Sequence, residues 1–221
     1  MRVRSPIDVH MLHLHRDDKA WMAECIDRMV NEQINIHLIV GQEGNLMNAR
    51  IGGYSIGRAP YVSYVDPDDL IEPGVFERCY EDLEKDRDLV GVYTQSSIIN
   101  KDGTIVKEAM QPFREWQYHN MFNSLFEIHQ LVVIRREFSD IVNKQMSSHY
   151  SIGHPYVEHL RYVLLSKLGP WKALPFVGYI KCNIQCCNFD ISFHNIHRCV
   201  LDCIINKDNM LIISQHSIFN E

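Results

Sequence analysis

Three aspartates fall within four positions, Asp66, Asp68 and Asp69, with Pro67 splitting the first pair, directly after the apolar run 61–65. In extended backbone, residues two apart project to the same side, so Asp66 and Asp68 would converge. Two convergent carboxylates suit a hard divalent cation such as Mn²⁺ or Mg²⁺, and a cation held by so few protein groups keeps positions open for substrate phosphates. Asp and Pro are also ordinary turn residues, and Asp69 is able to cap a helix, so turn chemistry competes with metal chemistry here.

Other residues with chemical capacity are scattered along the chain. Upstream, Arg50 carries a guanidinium that pairs bidentately with a diphosphate if it faces one, and is otherwise a surface helix arginine. Gly53-Tyr54-Ser55-Ile56-Gly57 spells the G-x-S-x-G of a hydrolase nucleophile elbow. That motif needs a strand before the serine and a helix after it, and here the order is reversed. Cys182, Cys186, Cys187, His194, His197, Cys199 and Cys203 gather soft ligands in the tail. None of their spacings is C-x-x-C, so packed reduced thiols stand beside a structural zinc reading.

Hydrophobic periodicity supplies the elements that must position these groups. Val9 to Leu14 reads as a first strand ending near His15, Asp17 or Asp18 as the cap of a helix, and Met22, Cys25, Ile26, Met29 and Val30 as its apolar face. The run 34–40 is a second strand, so strand, helix and strand form a parallel crossover unit. Gly41 to Asn45 turns at the carboxyl end of that strand, where open α/β sheets place ligand loops, and Glu43 lies in it. A helix over 46–58 leads into the strand before the aspartates. Past them, Pro73 starts a helix carrying Phe76, Cys79, Tyr80 and Leu83. Strand 89–99 returns through a turn at Lys101-Asp102-Gly103, an antiparallel hairpin that makes the sheet mixed. The segment 111–126 is rich in aromatic and amide side chains, suited to sugar rings and equally to core packing. Strand 131–135 and a helix over 154–168 complete the pattern.

The run from Asn48 to Gly74 resembles the centre of family 2 glycosyltransferases of the GT-A fold. Ala49, Arg50, Gly52, the strand, Asp66, Asp68, Asp69, Pro73 and Gly74 fit that family's pattern, while Ile51 stands where asparagine is usual. The resemblance implies an α/β fold, with a GT-A mixed, mostly parallel sheet flanked by helices. It implies a nucleoside diphosphate sugar as donor, UDP-linked by preference, and Mn²⁺ or Mg²⁺ as cofactor. Asp68 would be the principal metal ligand, Asp66 would contact ribose or metal, Asp69 would support or bind the sugar, and Glu43 would approach the base. A tail histidine, His194 or His197, would complete the metal shell. Arg50 would stabilise charge on the leaving diphosphate. The family's general base is an aspartate where this chain has Pro155, so the role passes to His154 or Glu158. As bland alternatives, His154 caps the helix and Glu158 pairs with Arg161 or Tyr162.

Length and composition bound the rest. At 221 residues and 46% hydrophobic, the chain builds one sizeable core, expected as a domain over 1–180 with a Cys/His-rich extension over 181–221. The nucleotide-sugar half of that domain is expected over about 1–100 and the acceptor half over about 101–180. A net charge of −6 gives no overall basic field for nucleic acid or anionic membrane. A groove of Lys107, Arg114, Arg135 and Arg136 would favour a polyanionic acceptor. No apolar run reaches the length of a membrane span, the first ten residues lack a signal-peptide core, and the seven cysteines read as reduced, which together suggest a cytoplasmic protein. Rival readings are a nucleotidyltransferase, though the loop after the first strand lacks glycines, and a catalytically silent GT-A-like binding protein, motivated by Pro155.

Overall fold

The structure, a computed structural model, describes residues 5–15, 17–41, 46–100, 102–109, 113–122, 127–149 and 157–182. In chain order the elements are β1 (Ile7–His13), α1 (Lys19–Met29), β2 (Ile34–Val40), α2 (Leu46–Tyr54), β3 (Tyr61–Tyr64), β4 (Leu70–Ile71), α3 (Val75–Lys85), β5 (Gly91–Ile99), β6 (Ile105–Lys107), a short 3-10 helix (Tyr118–Phe122), β7 (Val132–Arg135), α4 (Arg136–His149), α5 (Val157–Ser166) and β8 (Trp171–Cys182). The strands form one sheet in the order β2-β1-β3-β7-β5-β8-β4, with β6 hydrogen-bonded to β5. Its longest pairings, β1 with β2 and β5 with β8, are parallel, while β7 runs antiparallel to both β3 and β5.

Strand alternation sorts the core into two layers. Tyr61 and Val133 pack on the side of α1 and α3, with Cys25, Met29, Phe76, Cys79 and Leu83. Val62, Tyr64, Val132 and Ile134 pack on the other side, with Tyr54, Val142, Met146, Leu160 and Val163 from α2, α4 and α5. Successive residues of a strand face opposite ways, so a strand buried on both faces reads as a continuous apolar run. Helix α1 starts where Asp18 accepts hydrogen bonds from the backbone N–H of Ala20 (2.9 Å) and Trp21 (3.4 Å). Val30, expected on its apolar face, falls past the last turn and is 63% exposed. At the predicted hairpin, the Asn100 N–H donates to the Thr104 carbonyl (2.9 Å), and Gly103 adopts φ +82°.

Helix α2 stops at Tyr54, short of the expected Arg58, and the two motif glycines explain how the chain leaves it. A Cβ on Gly53 would lie 2.3 Å from His10 Cδ2 of β1, and one on Gly57, at φ +82°, would lie 2.0 Å from Asp8 Oδ2. Asp8 is a buried hub: it accepts from Asn35 Nδ2 (2.8 Å), the Ala59 N–H (2.7 Å) and Arg136 Nη2 (2.6 Å), and bonds His37 Nε2 (3.0 Å). It thereby ties β1, β2, the approach to β3 and the start of α4 together. Burial alone would raise its pKa, but these partners outweigh it and hold the carboxyl below its ordinary value. Ser55 is spent locally, donating to the Ile51 carbonyl (3.0 Å) and accepting from Asn143 (3.1 Å), as expected if it is no nucleophile.

The basic groove is overturned. Arg136 points inward to Asp8, and Arg135 donates to the Leu89 carbonyl, the Tyr61 hydroxyl and the carbonyls of Leu83 and Asp86. Two adjacent arginines that look like a surface patch are instead consumed by backbone carbonyls and one buried acid. Helix α4 and strand β8 were not anticipated at all. Among the described residues no helix is long and apolar enough to cross a membrane.

Candidate active site at the carboxyl end of β3

The aspartates sit in a turn and not in extended backbone: the Asp69 N–H donates to the Asp66 carbonyl at 3.2 Å. Pro67 fits the second position of such a turn, where its fixed φ is already the one required. The extended backbone from which a shared direction of Asp66 and Asp68 was expected is therefore replaced by a turn. Asp66 turns toward α2 and β7, Asp68 is exposed, and Asp69 is buried at 8% exposure against β8.

Asp66 is held on both oxygens. Arg50 Nη2 donates to Oδ1 at 2.9 Å and Gln130 Nε2 to Oδ2 at 3.0 Å, while its backbone N–H donates to the Tyr179 hydroxyl at 3.1 Å. Each carboxylate oxygen has a second lone pair, so Asp66 still has acceptor capacity in a fixed orientation. Arg50 is itself buried, 5% exposed, lying over the Tyr64 ring at 3.9 Å from its centroid. Its Nε contacts Glu158 Oε1 of α5 at 2.5 Å, a charge contact whose angle is too poor for a hydrogen bond. Burial alone would lower the Arg50 pKa, but Glu158 and Asp66 carry it well above the ordinary value. Glu158 therefore pairs with Arg50, not with the Arg161 or Tyr162 considered from sequence. Arg161 is buried separately, bonded to Asn143 and Ser139 and lying over Tyr54.

Asp69 accepts from the Cys182 N–H at 2.9 Å, pinning the turn to the end of β8. Burial, with Asp66 and Asp68 adding repulsion, pushes its carboxyl up to about 7, and the Asp68 carboxyl also rises, first because neighbouring atoms partly shield it from water although the residue is exposed, then because of Asp66. Lys181 offsets part of this rise at both groups. Among the described residues neither Asp68 nor Asp69 makes an ion pair, and no set of three or more His, Cys, Asp or Glu side chains is arranged to hold a metal.

The structure thus joins Arg50, Asp66, Asp68, Asp69 and Glu158. Glu43, His154, Pro155, His194 and His197, with the tail cysteines from Cys186 on, lie outside the described residues. Gln130 and Tyr179 were missed. Gln130 sits at the start of an apolar strand and Tyr179 inside an unrecognised one, so no local signal marks either as a neighbour of Asp66.

The model of glycosyl transferase family 2 matches residues 19–142, more than half of the chain and all of the acidic turn. The chain belongs to glycosyltransferase family 2. Curated relatives include a chondroitin synthase and a hyaluronan synthase of Pasteurella multocida, each 22% identical over 158 residues. That alignment takes in 71% of this chain but only 16% and 15% of theirs, so the chain spans about one-sixth of their length. Among solved structures, S. aureus TarS 1–349 in complex with UDP-GlcNAc superposes with a TM-score of 0.65 at 11% identity, covering 91% of this chain and 67% of that one. A longer TarS structure gives a TM-score of 0.62 at 11% identity, covering 91% of this chain and 40% of its own length. At that identity the likeness shows the fold, and the fold of this family 2 domain is GT-A-like, with the acidic turn at the carboxyl edge of its sheet.

Proposed function

We propose that this family 2 domain binds a UDP-linked sugar at the β3 turn and transfers the sugar to an acceptor hydroxyl, with Mn²⁺ or Mg²⁺ as cofactor. The observation that carries the reading is the crowding of Asp66, Asp68 and Asp69 at the carboxyl end of β3, where neither Asp68 nor Asp69 has an ion-pair partner among the described residues. Family membership and the UDP-GlcNAc bound by the TarS neighbour support the donor class. Among the described residues exposed Asp68 is the ligand we assign to such a cation, with the remaining positions left to donor phosphates or to His194 or His197. When bound, such a cation neutralises charge that develops on the leaving diphosphate.

The chain's own residues then divide the work. Asp66, clamped by Arg50 and Gln130, presents its remaining lone pairs to a donor hydroxyl or to the cation, already oriented. Arg50 acts through Asp66, because its guanidinium is buried between two carboxylates and one ring. Asp69 fixes the turn to β8 and supports the sugar. His154 is the better candidate for deprotonating the acceptor, because Glu158 is committed to Arg50.

That commitment of Glu158 also favours a second reading, a domain that binds nucleotide sugar without transferring it. Calorimetry with UDP and Mn²⁺, on wild type and Asp68→Ala, tests binding; release of UDP from UDP-GlcNAc and other UDP-sugars tests turnover. Metal-dependent UDP binding that Asp68→Ala abolishes, with UDP release, supports transfer, and binding without release supports the second reading. Absence of UDP binding to wild type would refute both.

A further inference from the structure

The free edges of the sheet are built differently. At one end β4 is two residues long and both are buried, and β6, beside β5, is three residues long and ends on Lys107. At the other end lies β2, seven residues reading I-N-I-H-L-I-V, with neither a proline nor an acidic or basic residue other than His37. Its pairing with β1 runs unbroken from Ile34 to Val40, so no bulge turns the edge away. Short length, lysines, prolines and bulges are the usual means by which edge strands avoid other chains, and β2 carries none of them. Among the described residues nothing pairs with its outer side. We propose that β2 is a self-association edge, to which a second copy of this chain adds antiparallel about a twofold axis at His37, joining two sheets into one.

Backbone direction comes first. The Gly41 N–H donates to the His13 carbonyl of β1 at 2.8 Å. Successive residues of a strand turn their backbone groups to alternate sides, so Val40, Leu38 and Ile36 direct N–H and C=O away from β1. Side chains two apart share a face, and on this one Ile34 and Ile36 pack against the α1 and α3 core layer. Leu38 and Val40 continue the row into solvent at 51% and 54% exposure.

Self-complementarity selects the partner. In the antiparallel register that uses all seven residues, Ile34 faces Val40 of the second copy and Ile36 faces Leu38, apolar against apolar, and the twofold axis repeats each pair. Ile36 and Leu38 then exchange both backbone hydrogen bonds through the groups that point outward. The polar members of the strand are engaged within their own subunit, Asn35 and His37 bonding to Asp8 at 2.8 and 3.0 Å. With a net charge of −6, two copies repel over much of their surface, and a strip without carboxylates is where they approach most easily. A basic partner drawn by that net charge would find no carboxylate on this strand to answer it. Seven residues span only about 23 Å, and such an edge with its flanking side chains buries less than the roughly 800 Å² per partner of a standard interface, so the dimer is a reversible, micromolar one. The antiparallel arrangement sends the two acidic turns to opposite ends of the joined sheet, so the proposal is independent of the donor reading.

Sedimentation velocity on the full chain, from about 1 to about 200 µM, should show monomer passing to dimer with a dissociation constant on the order of 10 µM. Leu38→Lys, at an exposed side chain, and Val40→Pro, which removes an outward N–H, should each weaken dimerisation at least about tenfold while thermal melts of dilute protein stay unchanged. Hydrogen-exchange mass spectrometry should show protection of the 34–40 backbone that rises with protein concentration. If one variant fails to fold, the other decides alone. Monomer throughout the concentration range, or a dimer that a folded variant leaves unchanged, would overturn the proposal. So would protection of β2 that is independent of concentration, which would mean that another segment of the same chain occupies the edge.

Discussion

Arg50→Met separates a guanidinium that orients Asp66 from one that merely decorates α2. The substitution keeps a long side chain over Tyr64 but leaves Asp66 and Glu158 facing each other without the charge between them. Breaking a buried pair by removing one partner typically costs 3–5 kcal/mol. Here the two carboxylate side chains keep 28% and 21% exposure while Arg50 has 6%, so water recovers part of the loss, and a value of about 3 kcal/mol, the low end, is expected. The double variant Arg50→Met/Glu158→Gln removes one of the stranded charges and should recover at least about 1 kcal/mol relative to additivity. Urea unfolding of the wild type, both single variants and the double variant gives the cycle. A loss under about 1 kcal/mol for Arg50→Met, or strict additivity in the double variant, would refute the account of Arg50 as the buried keystone of Asp66.

Four further outcomes follow from the same geometry. Gln130→Leu should leave stability nearly unchanged but weaken metal-dependent UDP binding several-fold, read by calorimetry, because Asp66 loses the donor on Oδ2. Gly57→Ala should cost more than about 2 kcal/mol, since a positive φ and the nearby Asp8 carboxylate both penalise a Cβ. Gly74→Ala, at φ +74° with nothing within 4 Å, should cost only about 1 kcal/mol in the same denaturant titration. For Asp8 the folded pKa is lowered, so the folded chain binds fewer protons and the contribution is complete above the unfolded value of 3.8, fading as pH falls through the lower folded value. Asp8→Asn should therefore be less stable than wild type at neutral pH, and that gap should narrow in melts run below about pH 4.

How far the sequence reaches is clearest at particular residues. The strand-helix-strand opening, the hairpin at Gly103 and the strand into Asp66 were legible because their apolar periods and turn residues act locally. The acidic turn was legible as a site because three carboxylates in four positions are costly to place together without a cation or a tight turn. Helix α4 was missed because it begins at Arg136 and carries much polar surface, and β8 because Pro175 interrupts its pattern. Its proline falls where β8 slips in register against β5, between Ala173 and Val177, and there a missing ladder donor is tolerated.

The amino-acid order by itself determined the α/β class, the layering of strands buried on both faces, and the family to which the 19–142 segment belongs. It did so because side-chain period and turn chemistry depend on near neighbours. Only the tertiary structure decided that Arg50, 16 residues before Asp66 in sequence, and Gln130, 64 residues after it, close on the two oxygens of one carboxylate. It also decided that Arg135 and Arg136 turn inward and that Glu127 meets Arg114. Those contacts depend on where the crossovers return each strand. A side chain's charge is written in the sequence, but the group that answers it is set by the fold.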